Sequence, residues 1–377
     1  MSQYMNKKLL FISGTRADYG KQKPVIKKCS ENPNFDVSIF ATGMHMLSKF
    51  GNTIEEIRKD FGSIIYPYIN QGSQEHMEVV FSNTITGLSQ YLDEYPIDLI
   101  IVHGDRVEAL AGAIVGGMKN ILVAHLEGGE SSGTIDESIR HSVTKFSHAH
   151  FVNNNIARDR VLRLGENPSN VFVIGSPNID IILSGNLPEL NEVKSHYEID
   201  FKNYAILIFH PVTSEIESLR NQTKILMEAC KASGLDFVVI EPNNDLGSEN
   251  ILSTYDDYKS ETCFRFLPSM RFESYLTLLK NSFLIVGNSS SGIYDAPLFG
   301  LQTINIGSRQ QGRYSGESLV TIAPEYEAIL EELNLAKQKE RYEPSEHYGE
   351  GDSSDKFLKI ISDEAFFKIE TQKYFYD

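Results

Sequence analysis

The chain has 377 residues, a length that suits two domains better than one ordinary core. Apolar residues make up 41% and charged residues 23%, a globular balance, and no apolar run approaches the roughly 18 residues of a membrane span. A formal net charge of −16 opposes binding to nucleic acid or anionic lipid, although a few focused arginines can still hold a small anion.

The first strand-like run, 8–12, follows two lysines and leads into a turn, which reads as a β-strand rather than a secretion signal. Further runs follow at 35–40, 64–68, 98–102, 121–124, 149–152 and 171–174, then at 205–209, 237–240, 263–267, 283–286, 303–306 and 319–322. Amphipathic patterns such as 76–91, 107–118, 216–232 and 272–279 lie between them. Strands alternating with helices predict parallel, doubly wound sheets. Gly175-Ser176-Pro177, after the seventh run, places the boundary between a first domain, 1–176, and a second, 177–355. Segment 356–377 joins a short helix pattern to a tail with Phe366, Phe367, Tyr374, Phe375 and Tyr376, apolar enough to dock back on the first domain. The expected fold class is α/β, two doubly wound Rossmann-like domains facing each other across a cleft, a match to the glycosyltransferase-B-like architecture. The three cysteines, Cys29, Cys230 and Cys263, are far apart and form no C-x-x-C pair, which predicts reduced thiols in a cytoplasmic protein.

Ligands of open α/β sheets bind outside the carboxyl ends of the strands, so the polar residues there are the candidates. After the first strand, Gly14-Thr15-Arg16 is either an ordinary βα turn or one that brings backbone N–H groups and Arg16 to a phosphate. After the fourth stands His103-Gly104-Asp105-Arg106. Asp105 is an N-cap or, between a histidine and an arginine able to move its pKa, a chemical group, and Arg106 is a candidate ligand cation. After the fifth come Glu127 and Glu130 around Gly128-Gly129, glycines that let a ligand approach the backbone. Either Thr134 caps the next helix with Glu137, freeing Asp136 for chemistry, or Asp136 is itself the cap; Arg140 shares the face of Asp136. The second domain offers His210-Pro211-Val212-Thr213, Glu241-Pro242-Asn243-Asn244-Asp245 and, as a second phosphate cation, Arg313. It also offers Asn288-Ser289-Ser290-Ser291-Gly292, a turn into a helix that presents hydroxyls and N–H groups to a diphosphate, with Asp295 one turn on to accept from ribose hydroxyls. D-x-D, H-E-x-x-H, the P-loop and G-x-S-x-G are all missing, so no metal site is expected and a serine hydrolase is disfavoured.

These motifs, with Thr42-Gly43-Met44-His45-Met46 and GTIDESIRH at 133–141, run in order through nearly the whole chain. Taken together the sequence resembles the UDP-N-acetylglucosamine 2-epimerases, in particular the hydrolysing branch of bacterial sialic-acid biosynthesis. The resemblance implies a reaction in which UDP-GlcNAc and water give UDP and N-acetylmannosamine, by elimination to 2-acetamidoglucal and then hydration. It implies no cofactor, a UDP-sugar as substrate and UDP as product, no nucleic-acid or membrane partner, and a homo-oligomer, dimer or tetramer. On this chain the catalytic residues would be Asp105, Glu127, Asp136 and His210. Arg16, Arg106, Glu130, Arg140, Asn243, Ser289, Ser290, Ser291, Gly292, Asp295 and Arg313 would hold the UDP-sugar. Non-hydrolysing relatives carry a glutamate at the place of Asp136 and H-x-E-A-G where this chain has His125-Leu126-Glu127-Gly128-Gly129, which favours hydrolysis here. The alternatives are the same reaction on a UDP-2,4-diacetamido-2,4,6-trideoxyhexose, and a glycosyltransferase of the same fold.

Overall fold

Each of the thirteen apolar runs forms a strand, and among the described residues the strands make two sheets. The computed structural model describes residues 6–48, 51–72, 76–132, 135–212, 214–242, 245–313 and 316–377. Strands β1 (Lys7–Ser13), β2 (Phe35–Ala41), β3 (Ile65–Pro67), β4 (Leu99–His103), β5 (Leu122–Leu126), β6 (Ala149–Val152) and β7 (Val171–Val173) pair in the order β3-β2-β1-β4-β5-β6-β7. Strands β8 (Ala205–Ile208), β9 (Phe237–Ile240), β10 (Phe264–Leu267), β11 (Leu284–Gly287), β12 (Gln302–Ile306) and β13 (Leu319–Ile322) pair as β10-β9-β8-β11-β12-β13. Every pairing is parallel. In both sheets the order of strand addition therefore reverses once, between β1 and β4 and between β8 and β11, and such a switch point opens a crevice at the carboxyl ends of its two strands.

The strands are near-continuous apolar runs because both faces of a parallel sheet are covered by helices. Successive side chains alternate between those faces. In the first sheet Leu9, Phe11, Leu99 and Ile101 enter one buried cluster, while Leu10, Ile12, Ile100 and Val102 enter the other. The covering helices are α1 (Arg16–Ser30), α2 (Ile54–Phe61), α3 (Met77–Glu94), α4 (Val107–Met118), α5 (Ile135–Phe146), α6 (Asn155–Arg163) and α7 (Pro177–Leu183). In the second unit Leu207, Phe237, Val239, Val286 and Ile304 pack with Leu226 and Met227 of α9 (Ile216–Ala232), Ile251 of α10 (Ser248–Asp256) and Leu333 of α13 (Tyr326–Ala336). Also in that unit are α8 (Leu190–His196), α11 (Phe272–Asn281) and the single turn α12 (Ser291–Tyr294). None of the described helices is long and apolar enough to cross a membrane.

The compact units do not divide where the sequence reading put the boundary. One comprises Met1–Glu130, Asp136–Gly185 and His347–Asp377; the other comprises Ser131–Ile135 and Asn186–Glu346. The first unit thus keeps α7, because Ile179 and Ile182 are buried and the helix packs on α1. The chain re-enters the first unit at His347 rather than at residue 356. Ser176 N–H donates to the Tyr348 carbonyl at 2.7 Å, and the Asp180 carboxylate accepts from Ser353 and Ser354 N–H at 3.0 and 2.7 Å, capping α14 (Ser353–Ile361). Phe357, Ile361 and Phe366 then complete the core beneath β1 and β6.

Candidate active site

In the first unit the polar strand ends converge on Glu127. It follows β5 directly, is buried, and sits in the left-handed region at φ 60°, uncommon for a residue with a side chain. Its N–H donates to the Phe151 carbonyl at 2.9 Å, which ties the strained turn to β6. One carboxylate oxygen lies 3.1 Å from Lys21 Nζ of α1 and 3.2 Å from His103 Nε2 at the end of β4. The other accepts from the Ser176 hydroxyl at 2.5 Å. Burial pushes this carboxyl's pKa up, but Lys21 and His103 outweigh it and hold the group well below the ordinary carboxylate range. Glu127 is therefore an ionised acceptor at neutral pH.

Asp105 ends the turn after β4 and forms an ion pair with Arg140 of α5. The same guanidinium donates to the Glu127 carbonyl at 2.7 Å. Asp136 lies one turn earlier than Arg140 on α5, half-buried and on the same face. Thr134, its rival for the cap, lies outside the described residues. Beneath this group His125 lies 2.9 Å from the Gly104 carbonyl and 3.2 Å from the Thr144 hydroxyl, and burial lowers its pKa to about 3, so it is neutral.

The switch point between β1 and β4 is lined by backbone. Thr15 caps α1 in a capping box with Asp18, whose carboxylate also accepts from Gly14 N–H at 2.9 Å and from the Ser13 hydroxyl at 2.5 Å. Arg16 is held in an ion pair with Glu56, 3.0 Å, and Arg106 Nε lies 3.4 Å from Glu108. Glu108, which the sequence assigns to a helical or capping role, is buried against Gly14 and Gly43, and among the described residues its Oε1 has no protein hydrogen-bond partner. Glu130 is buried too, accepting from Asn153 at 3.1 Å.

In the second unit Asn288 fastens the two sides of the switch point. Its amide accepts from His210 N–H at 2.7 Å and donates to the His210 carbonyl at 2.8 Å. The Asn288 carbonyl in turn accepts from Gln310 at 2.6 Å and Arg309 at 3.2 Å. Half-buried Ser289 and Ser290 follow, and then the single turn α12 passes directly into a 3₁₀ turn, Ala296–Phe299. This differs from the expected helix start: one turn carries little dipole, so phosphate contacts there depend on local hydroxyl and N–H groups. Ser291 is engaged inside the protein, donating to Asp295 Oδ2 at 2.6 Å and touching the Tyr275 hydroxyl. Gly292 is packed on β12, where a Cβ would meet Thr303 Cγ2 at 2.5 Å. Arg313 donates to the Ser131 carbonyl at 2.5 Å and to Gln310 at 2.8 Å, over the ring of Tyr294. Asn243 lies outside the described residues.

The structure thus brings Asp105, Glu127 and Arg140 together in one unit, and His210 beside Asn288 and Ser289 in the other. The sequence reading left Lys21, Ser176 and Gln310 out of these clusters and set Glu108 aside as a helical or capping acid. A signal existed for Lys21 and Glu108: each is charged at a helix position flanked by buried residues.

Two doubly wound units of this strand order make the fold glycosyltransferase-B-like. A solved Methanocaldococcus jannaschii structure, UDP-GlcNAc 2-epimerase with UDP-GlcNAc and UDP, matches 94% of this chain and 99% of its own with TM-score 0.80 at 20% identity. The chain belongs to the UDP-N-acetylglucosamine 2-epimerase family, whose model matches residues 27–362. It is 40% identical over 374 residues to the UDP-N-acetylglucosamine 2-epimerase of Neisseria meningitidis serogroup B, covering 98% of this chain and 99% of that one. It is 34% identical to the hydrolysing UDP-N,N'-diacetylbacillosamine 2-epimerase of Legionella pneumophila, covering 95% and 96%.

Proposed function

We propose that this protein is a hydrolysing UDP-GlcNAc 2-epimerase that converts UDP-GlcNAc and water to UDP and N-acetylmannosamine for surface-glycan synthesis. The observation that carries the reading is the joining of Asp105, Glu127 and Arg140 at adjacent strand ends in a family member. The C2 proton of the sugar is weakly acidic, so a positioned carboxylate removes it as the C1–O bond breaks. The electrons of the C2–H bond form the C1–C2 double bond, and UDP leaves with the pair from C1–O. Water then adds its hydroxyl to C1 while an acid delivers a proton to C2 from the opposite face, which inverts that centre. Asp105, Glu127 and Asp136 share these proton transfers, with His210 assisting. Glu127, ionised in the resting enzyme, serves as an acceptor before it serves as a donor. Arg16, Arg106, Glu130, Arg140, Asn243, Ser289, Ser290, Ser291, Gly292, Asp295 and Arg313 position the UDP-sugar, and the departing diphosphate needs such cations and donors most.

Turnover of UDP-GlcNAc in D₂O followed by NMR tests the reading. Free N-acetylmannosamine with deuterium at C2 is the expected product; accumulation of UDP-ManNAc sinks the hydrolytic step, and UDP release only in the presence of a sugar acceptor points to a transferase. The Legionella relative motivates a second reading, the same reaction on UDP-2,4-diacetamido-2,4,6-trideoxyhexose. A kcat/KM at least tenfold higher for that sugar would establish it. The protein acts in the cytoplasm as a dimer or tetramer, which light scattering of the purified chain checks.

A further inference from the structure

The tail of the chain closes on the helix that carries Arg140. Lys373 Nζ lies 2.5 Å from Glu166 Oε2 and donates to the carbonyls of Thr144, 3.0 Å, and Ser147, 2.5 Å. The Thr144 carbonyl is one of the last four of α5, at the negative end of its dipole, and its other contact is with the Ser147 N–H that closes the helix at 3.2 Å. Glu166 is buried and also takes Lys145 at 2.7 Å and His150 at 3.0 Å. The rest of the tail lies along the segment around Gly165, where Asn167 donates to the Tyr376 hydroxyl at 3.0 Å and the Phe375 ring packs on Gly165. His148 lies 3.1 Å from the Thr371 carbonyl, Tyr376 N–H donates to the Gly165 carbonyl at 3.0 Å, and the side chains of Tyr374 and Phe375 are exposed.

The clasped end of α5 leads to the acid loop by two routes. The Thr144 hydroxyl faces His125 Nδ1, and His125 Nε2 faces the Gly104 carbonyl. A carbonyl only accepts, so Nε2 carries the proton and Nδ1 accepts from Thr144. The Gly104 N–H donates to the Leu126 carbonyl at 3.0 Å, so the residue before Asp105 is held through both its N–H and its carbonyl. The second route is Arg140, which binds the Asp105 carboxylate itself.

We propose that the C-terminal segment 371–376 is a positioning clasp for the catalytic acid loop. Lys373, with Glu166, fixes the end of α5, and α5 fixes Asp105 through Thr144–His125–Gly104 and through Arg140. The inference rests on the reading of Asp105 as catalytic. Lys373 and Thr144 are positioning residues, for neither touches the loop carboxylate.

Lys373→Met and Thr144→Val test it in the full chain, with Lys373→Arg as the conservative control. Misplacing a catalytic group slightly costs rate rather than binding, so kcat falls about tenfold in both variants while KM for UDP-GlcNAc stays within about twofold. Lys373→Arg, which keeps charge and donors, recovers most of the loss. Thr144→Val leaves the tail contacts in place and tests the link from α5 to the acid loop by itself, so wild-type kcat in that variant overturns the proposal even if Lys373→Met fails to fold. Hydrogen exchange of peptides spanning residues 99–110 is expected to quicken in both variants. Wild-type kcat and unchanged exchange in the folded variants overturn the clasp. Faster exchange in the variants than in the wild type, when the wild type itself turns over no UDP-GlcNAc, upholds the clasp and sinks the functional reading instead.

Discussion

Arg140 joins Asp105 to Glu127: from the second turn of α5 its guanidinium binds the carboxylate of the first and the backbone carbonyl of the second. One planar group with several donors can do this, and a lysine ammonium cannot match the fork. Arg140→Met is expected to lower kcat by about a hundredfold, because Asp105 loses both its charge partner and its orientation. Arg140 is buried and Asp105 partly exposed, so the stability loss stays at or below about 3 kcal/mol. Denaturant unfolding and steady-state kinetics of Arg140→Met and Arg140→Lys check both numbers, and full activity in the lysine variant would refute the bidentate role.

The lowered pKa of Glu127 has a stability consequence with a definite sign. The folded group titrates below the unfolded one, so the unfolded chain binds more protons in between and folding is favoured as pH rises. This contribution is complete above the unfolded value near 4.5 and is lost as pH falls through the folded value. The stability gap between wild type and Glu127→Gln should therefore narrow below about pH 4.5. Urea unfolding at several pH values measures it; a gap that widens on acidification would mean that Lys21 and His103 do not dominate the site.

Gly14 is set by space rather than by backbone conformation. A Cβ there would lie 2.7 Å from Glu108 Cδ, inside a turn that cannot retreat because Asp18 holds Gly14 N–H. Gly14→Ala is expected to destabilise the protein by about 1–3 kcal/mol, as overpacking does. Pairing it with Glu108→Ala should relieve most of that cost, a coupling that a double-mutant cycle reads directly. Additive losses would show that the carboxylate is not what the glycine accommodates.

Asp295 is buried and accepts from Ser291 at 2.6 Å, and a carboxylate's two oxygens are acceptors of the kind a ligand's hydroxyls require. Asp295→Asn should raise KM for UDP-GlcNAc and the inhibition constant of UDP together, by about tenfold or more, with kcat within about twofold. Equal ligand affinities in the folded variant would reduce Asp295 to a brace for α12.

The thirteen strands and the strand ends that bear polar residues were legible in the chain itself. Parallel strands buried on both faces must be apolar along their length, so their limits show wherever charge resumes. That is why Asp105, Glu127 and Ser289 stood out. Lys21 and Ser176 did not, because they reach Glu127 from 106 and 49 residues away. No local pattern records such a meeting. Packing sets the Ser291 hydroxyl between Tyr275 and Asp295, a placement that its Ser/Gly turn does not record.

The unit boundary followed the same division. Gly175-Ser176-Pro177 does mark the break between β7 and α7, but such a break says nothing of which core the next helix enters. Ile179 and Ile182 found theirs on α1. The sequence by itself determined the periodicity of the elements, hence two doubly wound sheets and the edge of each on which chemistry could stand. Only the tertiary structure decided which charges would face one another there. That choice placed Lys21 and His103 on Glu127 and Arg140 on Asp105, because ion pairing acts through space at a few ångströms, whatever the separation along the chain.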